Sequence, residues 1–178
     1  MEPAPFSYFT NKREHVSQEV KKFDIIFEGA ARSTGRMRCD LDVDFVTTGE
    51  SFKLATDEGK IHGGENSAPP PLALFTGALA GCLMTQFRAF AKRMRIEVRS
   101  VEIKARLHWE AEQEGRAPYV GAPVGFHLDI DVDSDAGIDD IKSLLAAARK
   151  GCFVETTLER ANTITHKLRV SGSEWMDV

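Results

Sequence analysis

Between Met37 and Phe45 apolar residues take every second position. Met37, Cys39, Leu41, Val43 and Phe45 alternate with Arg38, Asp40, Asp42 and Asp44. That period of two predicts a β-strand with one wet face. Thr47–Ser51 reads as a turn and Phe52–Thr56 as the returning strand, with Phe23–Phe27 as a strand before them. The opening is therefore expected to be an antiparallel meander. The pattern then changes to steps of three and four. Phe75, Ala78, Leu79, Cys82, Gln86 and Phe90 fall on one side of a helix running from Leu72 to Met94. Pro69, Pro70 and Pro71 stand just before it, and the last fits a first helical turn.

Alternation resumes in two longer segments, Val101–Trp109 and Phe126–Val132. Ile138, Ile141, Leu144, Leu145 and Ala148 then mark a helix ending at Lys150, with Gly151 as its stop. Phe153–Ala161 fits a second short helix and Thr163–Val170 a final strand. The order βββ-α-ββ-αα-β on antiparallel strands is an α+β pattern. Residues 1–20 are polar and weakly patterned and read as an N-terminal arm, leaving 21–178 as a single domain.

Composition narrows the classes. The 178 residues are 42% hydrophobic and 28% charged, the balance of a globular domain with a sizeable core. A net charge of −4 argues against a nucleic-acid partner, and the arginines of 32–38 and 88–99 read as solvated faces. The apolar run Ala68–Met84 falls just short of the ~20 residues that span a bilayer, and Arg88, Lys92 and Arg93 follow, so no membrane span is expected. Three cysteines make no disulfide framework, and Met1–Pro5 has none of the basic and apolar character of a secretory leader. Both point to a reducing, cytoplasmic setting, where a disulfide would be transient and functional.

Candidate chemistry rests on the cysteines. Cys39 alternates with aliphatic residues and reads as core. Cys82 lies inside an apolar helix, where its thiol should resist ionisation, while Cys152 opens a short helix whose amides favour an anion. The two read equally as a reacting pair or as small core residues. His15, His62, His108, His127 and His166 are dispersed, so no metal site is expected. Gly77 and Gly81 lie one turn apart, and with Ala78 and Ala80 they make a small-residue surface suited to close approach by another helix.

The segment Asn66–Cys82, a proline-led helix carrying a thiol, resembles the first cysteine motif of the OsmC/Ohr family, and Leu145–Cys152 resembles the second. The order of elements from about residue 20 to 172 is similar too. The resemblance implies an intertwined homodimer, with antiparallel sheets wrapped around two central helices and two active sites at the interface. It implies a thiol peroxidase that reduces organic or inorganic hydroperoxides to alcohols. Cys82 would become a sulfenic acid and Cys152 would resolve it as a disulfide, later reduced by an external dithiol such as a lipoylated protein. No cofactor is required.

The family also places an arginine early in the chain to stabilise the thiolate. Arg32 is the closest match and Arg36 the second. Its acidic partner would fall at Leu72, and the proline after the second cysteine is Phe153 here, so Glu65 or Glu155 is expected to substitute for the acid. Phe75, Leu79, Phe87 and Phe153 are the candidates for an apolar substrate wall. The alternative is a non-peroxidase member of the same fold that binds a small apolar ligand or senses redox state at the interface. A structural dimer with inert thiols is the third.

Overall fold

The computed structural model describes residues 20–178, so all but the last residue of the arm expected over 1–20 lies outside them. Three strands form the meander: β1 (Phe27–Ser33), β2 (Cys39–Phe45) and β3 (Glu50–Thr56), paired antiparallel in that order. Strand β1 begins where the expected strand 23–27 ends. Its register is set by the turn after it: Ser33 pairs with Cys39 and Phe27 with Phe45, which gives Gly29-Ala-Ala a place in the ladder despite its weak pattern. The apolar residues of β2 meet apolar partners in β3, Leu41 opposite Leu54 and Val43 opposite Phe52.

A loop whose middle forms a short 3-10 turn, Lys60–His62, leads to α1 (Pro71–Met94). Asp57, 1% exposed, organises that loop. Its carboxylate accepts from the backbone N–H groups of Glu58, Glu65 and Ser67 at 2.9, 3.2 and 3.0 Å and from the Ser67 hydroxyl at 2.8 Å. Gly64 passes so close that an added Cβ would sit 1.9 Å from the Glu58 carbonyl oxygen, so only glycine fits there. Helix α1 starts with Pro71 in its first turn and stops at Arg95, whose positive φ of 58° breaks the helical path.

The hairpin β4 (Ser100–Glu112) and β5 (Val120–Asp133) is longer than the alternation predicts, with a bulge at His108 and Trp109 where Pro123 lies opposite. Helices α2 (Ile138–Gly151) and α3 (Phe153–Leu158) follow. The strand expected over 163–170 shrinks to β6 (Lys167–Leu168), paired with β7 (Met176–Asp177). Gly151 is the last residue of α2 and not a left-handed stop. Its missing side chain makes room for Phe90 of α1, since an added Cβ would come within 2.7 Å of that ring.

The core lies where α1, α2 and the start of α3 meet the β4–β5 hairpin. Leu83, Phe87, Ala91, Leu144, Ala148 and Cys152 are buried together, with Ile103, Leu128 and Ile130 packed against them. The buried stripe of α1 is Leu79, Leu83, Phe87 and Ala91, so Cys82, Gln86 and Phe90 form a half-buried row beside it. Cys39, expected in the core, is half-buried on the meander. Two apolar surfaces have no cover from the described residues. Phe27, Phe52 and Leu54 of the meander are 55%, 45% and 47% exposed. On α1, nothing lies within 4 Å of a Cβ added at Gly77 or Gly81.

Candidate active site

The break between α2 and α3 builds the site. Cys152 ends one helix and caps the next, because its backbone is extended (φ −76°, ψ 105°) and redirects the chain. Its carbonyl accepts from the Thr156 N–H and hydroxyl, both at 2.9 Å, which locks the joint. The thiol points into the core and is 0% exposed. Cys82 approaches from α1, half-buried, and packs against the buried cluster that contains Cys152. Residues seventy apart in sequence thus meet at one core.

Burial, first of all, pushes the Cys152 thiol up to about 11; the Glu155 N–H, 3.4 Å from its sulfur, works against this, while Cys82 and the Glu155 carboxylate add to it. This reverses the expectation that the helix start would make Cys152 the anion. Helix α3 has six residues and offers one amide, too little to offset removal from water. The more accessible thiol is Cys82.

Glu155 sits three residues after Cys152, its side chain 12% exposed. Arg149 Nε donates to its Oε1 at 2.6 Å and Arg149 Nη2 donates to Glu159 Oε1 at 3.1 Å. Those carboxylates raise the Arg149 pKa and hold the guanidinium charged. The other oxygen of Glu155, Oε2, is buried and has no hydrogen-bond partner among the described residues. Sequence reasoning missed Arg149, although it lies within the second cysteine motif, because it pairs with Glu155 only once the chain bends at Cys152.

Arg149, Glu155 and Glu159 also form part of the wall of a cleft of about 510 Å³. Leu79, Leu83, Phe126, Leu128, Ile130, Leu145 and Leu158 make its apolar surface, and His127 contributes a further polar group. Glu155 belongs to both settings: its N–H reaches the buried thiol and the residue forms part of the cleft wall.

The other expected residues fall in different places. Arg32 bonds to Asp42 on the meander, and that pairing raises its pKa. Arg36 lies in the bend between β1 and β2. Neither bonds to a thiol among the described residues. Glu65 is exposed in the loop that Asp57 gathers, so of the two candidate acids only Glu155 adjoins a cysteine. Leu79 lines the cleft, and Phe75 packs edge-on against Phe126 of its wall, ring centroids 6.3 Å apart. Phe87 belongs to the sealed core and backs Cys152 instead of facing a substrate, and Phe153 points outward, 51% exposed. Among the described residues no group of three or more histidines, cysteines and carboxylates is arranged to hold a metal.

The family model for OsmC-like proteins matches residues 64–167, a span that runs from the loop before α1 to β6 and holds both Cys82 and Cys152. The chain belongs to the OsmC-like family. An OsmC-like hydroperoxide resistance protein from Jannaschia sp. CCS1 is 42% identical, with a TM-score of 0.59 over 86% of this chain and 98% of that one. An organic hydroperoxide resistance protein OsmC from Legionella pneumophila is 19% identical, with a TM-score of 0.55 over 77% and 91%. A putative organic hydroperoxide resistance protein from Vibrio cholerae, with captopril in one of its active sites, is 16% identical, with a TM-score of 0.50 over 78% and 88%. No curated protein sequence matches this OsmC-like chain significantly.

Proposed function

We propose that this OsmC-like protein is a thiol peroxidase that reduces organic hydroperoxides to alcohols. The observation that carries the reading is the packing of two unequal thiols at one core, Cys82 half-buried and Cys152 sealed. The Cys82 thiolate attacks the distal oxygen of ROOH. The O–O bond breaks, the alkoxide leaves as ROH with a proton, and Cys82 becomes a sulfenic acid. Cys152 then attacks that sulfur; a disulfide forms and water leaves. A dithiol, for which a lipoylated protein is the candidate, returns both cysteines to thiols. The cleft of about 510 Å³ beside Glu155 favours a substrate with an apolar body over hydrogen peroxide.

The working unit is proposed to be a homodimer. The open glycine face of α1 suits a second α1 helix, and the bare apolar face of the meander suits a partner protomer. Arg32 or Arg36 would serve a thiol only across that interface, while Arg149 is the cation each protomer already holds beside Cys152. The hydroperoxide resistance proteins from Jannaschia and Legionella, as named, support the same chemistry. The cleft also suits a second reading, binding of a small apolar ligand without turnover.

Counting thiols after one equivalent of cumene hydroperoxide tests the reading. The native protein should lose two thiols per chain and Cys82→Ser none, while Cys152→Ser should keep a dimedone-reactive sulfenic acid. No thiol loss in the native protein would leave ligand binding as the function.

A further inference from the structure

We propose that Glu155 is the base of the second half-reaction: its unpartnered Oε2 takes the proton of Cys152 as that thiol attacks the oxidised Cys82. The proposal rests on the two-thiol reading above and assigns a step to a residue that reading leaves idle.

Three observations converge. Cys152 is 0% exposed, so its proton has no direct path to water. Burial and the neighbouring carboxylate keep the thiol protonated at neutral pH, with a pKa of about 11, so attack requires a proton acceptor. Glu155 adjoins it, with Oε1 fixed by Arg149 Nε at 2.6 Å and Oε2 buried and bare. A buried carboxylate oxygen without a hydrogen bond is uncommon and destabilising, and a role as proton acceptor accounts for it.

Among the described residues the surrounding groups leave no rival. From α1 comes Cys82, which is the electrophile at this stage. From α2 comes Arg149, a permanent cation. On α3, Glu159 is 57% exposed and points to the far end of Arg149. Across the cleft, His127 on β5 is exposed and makes no contact with either thiol among the described bonds.

The step balances. The Cys152 S–H proton moves to Glu155 Oε2, the sulfur pair forms the S–S bond, and the S–O bond of Cys82 breaks. The departing hydroxide takes the proton from Glu155 and leaves as water. Cys152 is oxidised, the sulfenic sulfur is reduced, and the carboxylate ends as it began.

Dithiodipyridine isolates this step from peroxide chemistry. Cys82 displaces one thiopyridone and becomes a mixed disulfide, and Cys152 then displaces the second. Glu155→Gln should leave the first release unchanged and slow the second by roughly tenfold or more at neutral pH. The second release should then depend on hydroxide and rise steadily with its concentration. Glu155→Asp, which keeps the carboxylate, should release the second thiopyridone faster than the glutamine variant and without its dependence on hydroxide, and it carries the test if the glutamine variant does not fold. Second release at the native rate, or equal slowing of both, overturns the proposal. Cumene hydroperoxide supplies the other arm, where Glu155→Gln should accumulate a dimedone-trapped sulfenic acid. If neither protein consumes peroxide while the dithiodipyridine difference persists, the relay stands and the peroxidase reading falls.

Discussion

The meander and the helix–hairpin body are built from similar amounts of alternating sequence, yet they reach opposite states. The body seals Leu83, Phe87, Leu144, Ala148 and Cys152 from water. The meander leaves all of β1 and most of β3 exposed and is held by strand ladders and surface pairs, among them Asp42 shared between Arg32 and Lys53. Ladders and exposed ion pairs do not stabilise an isolated three-stranded sheet by much. The difference teaches that the described residues complete one core and leave the meander's apolar face uncovered, the face that the proposed dimer would bury. The thiol pair belongs wholly to the sealed half.

The comparison breaks most sharply at Phe87. Phe87→Ala removes a fully buried ring from the body and should destabilise it by about 3–5 kcal/mol, read as a fall in the urea midpoint. Phe52→Ala, on the half-exposed sheet, should cost far less at high dilution and more as concentration rises, if a second protomer covers that face. Gly81→Leu probes the other bare surface. It should convert a dimer to a monomer in light scattering, because the helix face that accepts a Cβ within its own chain then carries a bulky group against its partner. An unchanged dimer would move the interface away from α1.

A smaller effect lies in the loop between the two regions. Hydrogen bonds, led by the Ser67 N–H, hold the Asp57 carboxyl below its ordinary value. A carboxylate depressed in the folded state contributes stability above its unfolded pKa of about 4, and that contribution is lost as pH falls through the lower folded value. The native urea midpoint should therefore drop in acid, and Asp57→Asn should flatten that drop while lowering the midpoint at neutral pH. Smallest of all is Arg32→Gln, which should leave the midpoint unchanged, since its pair with Asp42 is exposed. A fall in Cys82 oxidation rate in this variant would show that the partner's meander reaches the thiol.

Much of the frame was legible. Proline placement and four-residue spacing marked α1 to within one residue at its start, and strict alternation found β2, β4 and β5. The misses share a cause, which is that their residues are brought together by bends. The position of β1 depends on the turn that pairs Ser33 with Cys39, not on its own composition. Arg149 and Glu155 meet because the chain redirects at Cys152, and no helical spacing pairs residues six apart. Asp57 looks like a loop acid until the chain folds back over it. Cys152 was judged by its place on a helix, whereas the depth at which it is buried governs its proton.

The seventy-residue separation of Cys82 and Cys152 has a last consequence. A bridge between them would close a ring containing the rest of α1, the β4–β5 hairpin and all of α2. Such a ring restricts the unfolded chain by about 4 kcal/mol on a loop-entropy basis. Oxidation would therefore make the body harder to melt at the very moment it awaits reduction. The melting temperature would then report how much of the protein stands at each stage of its cycle, and the spent form would be the one best protected from unfolding.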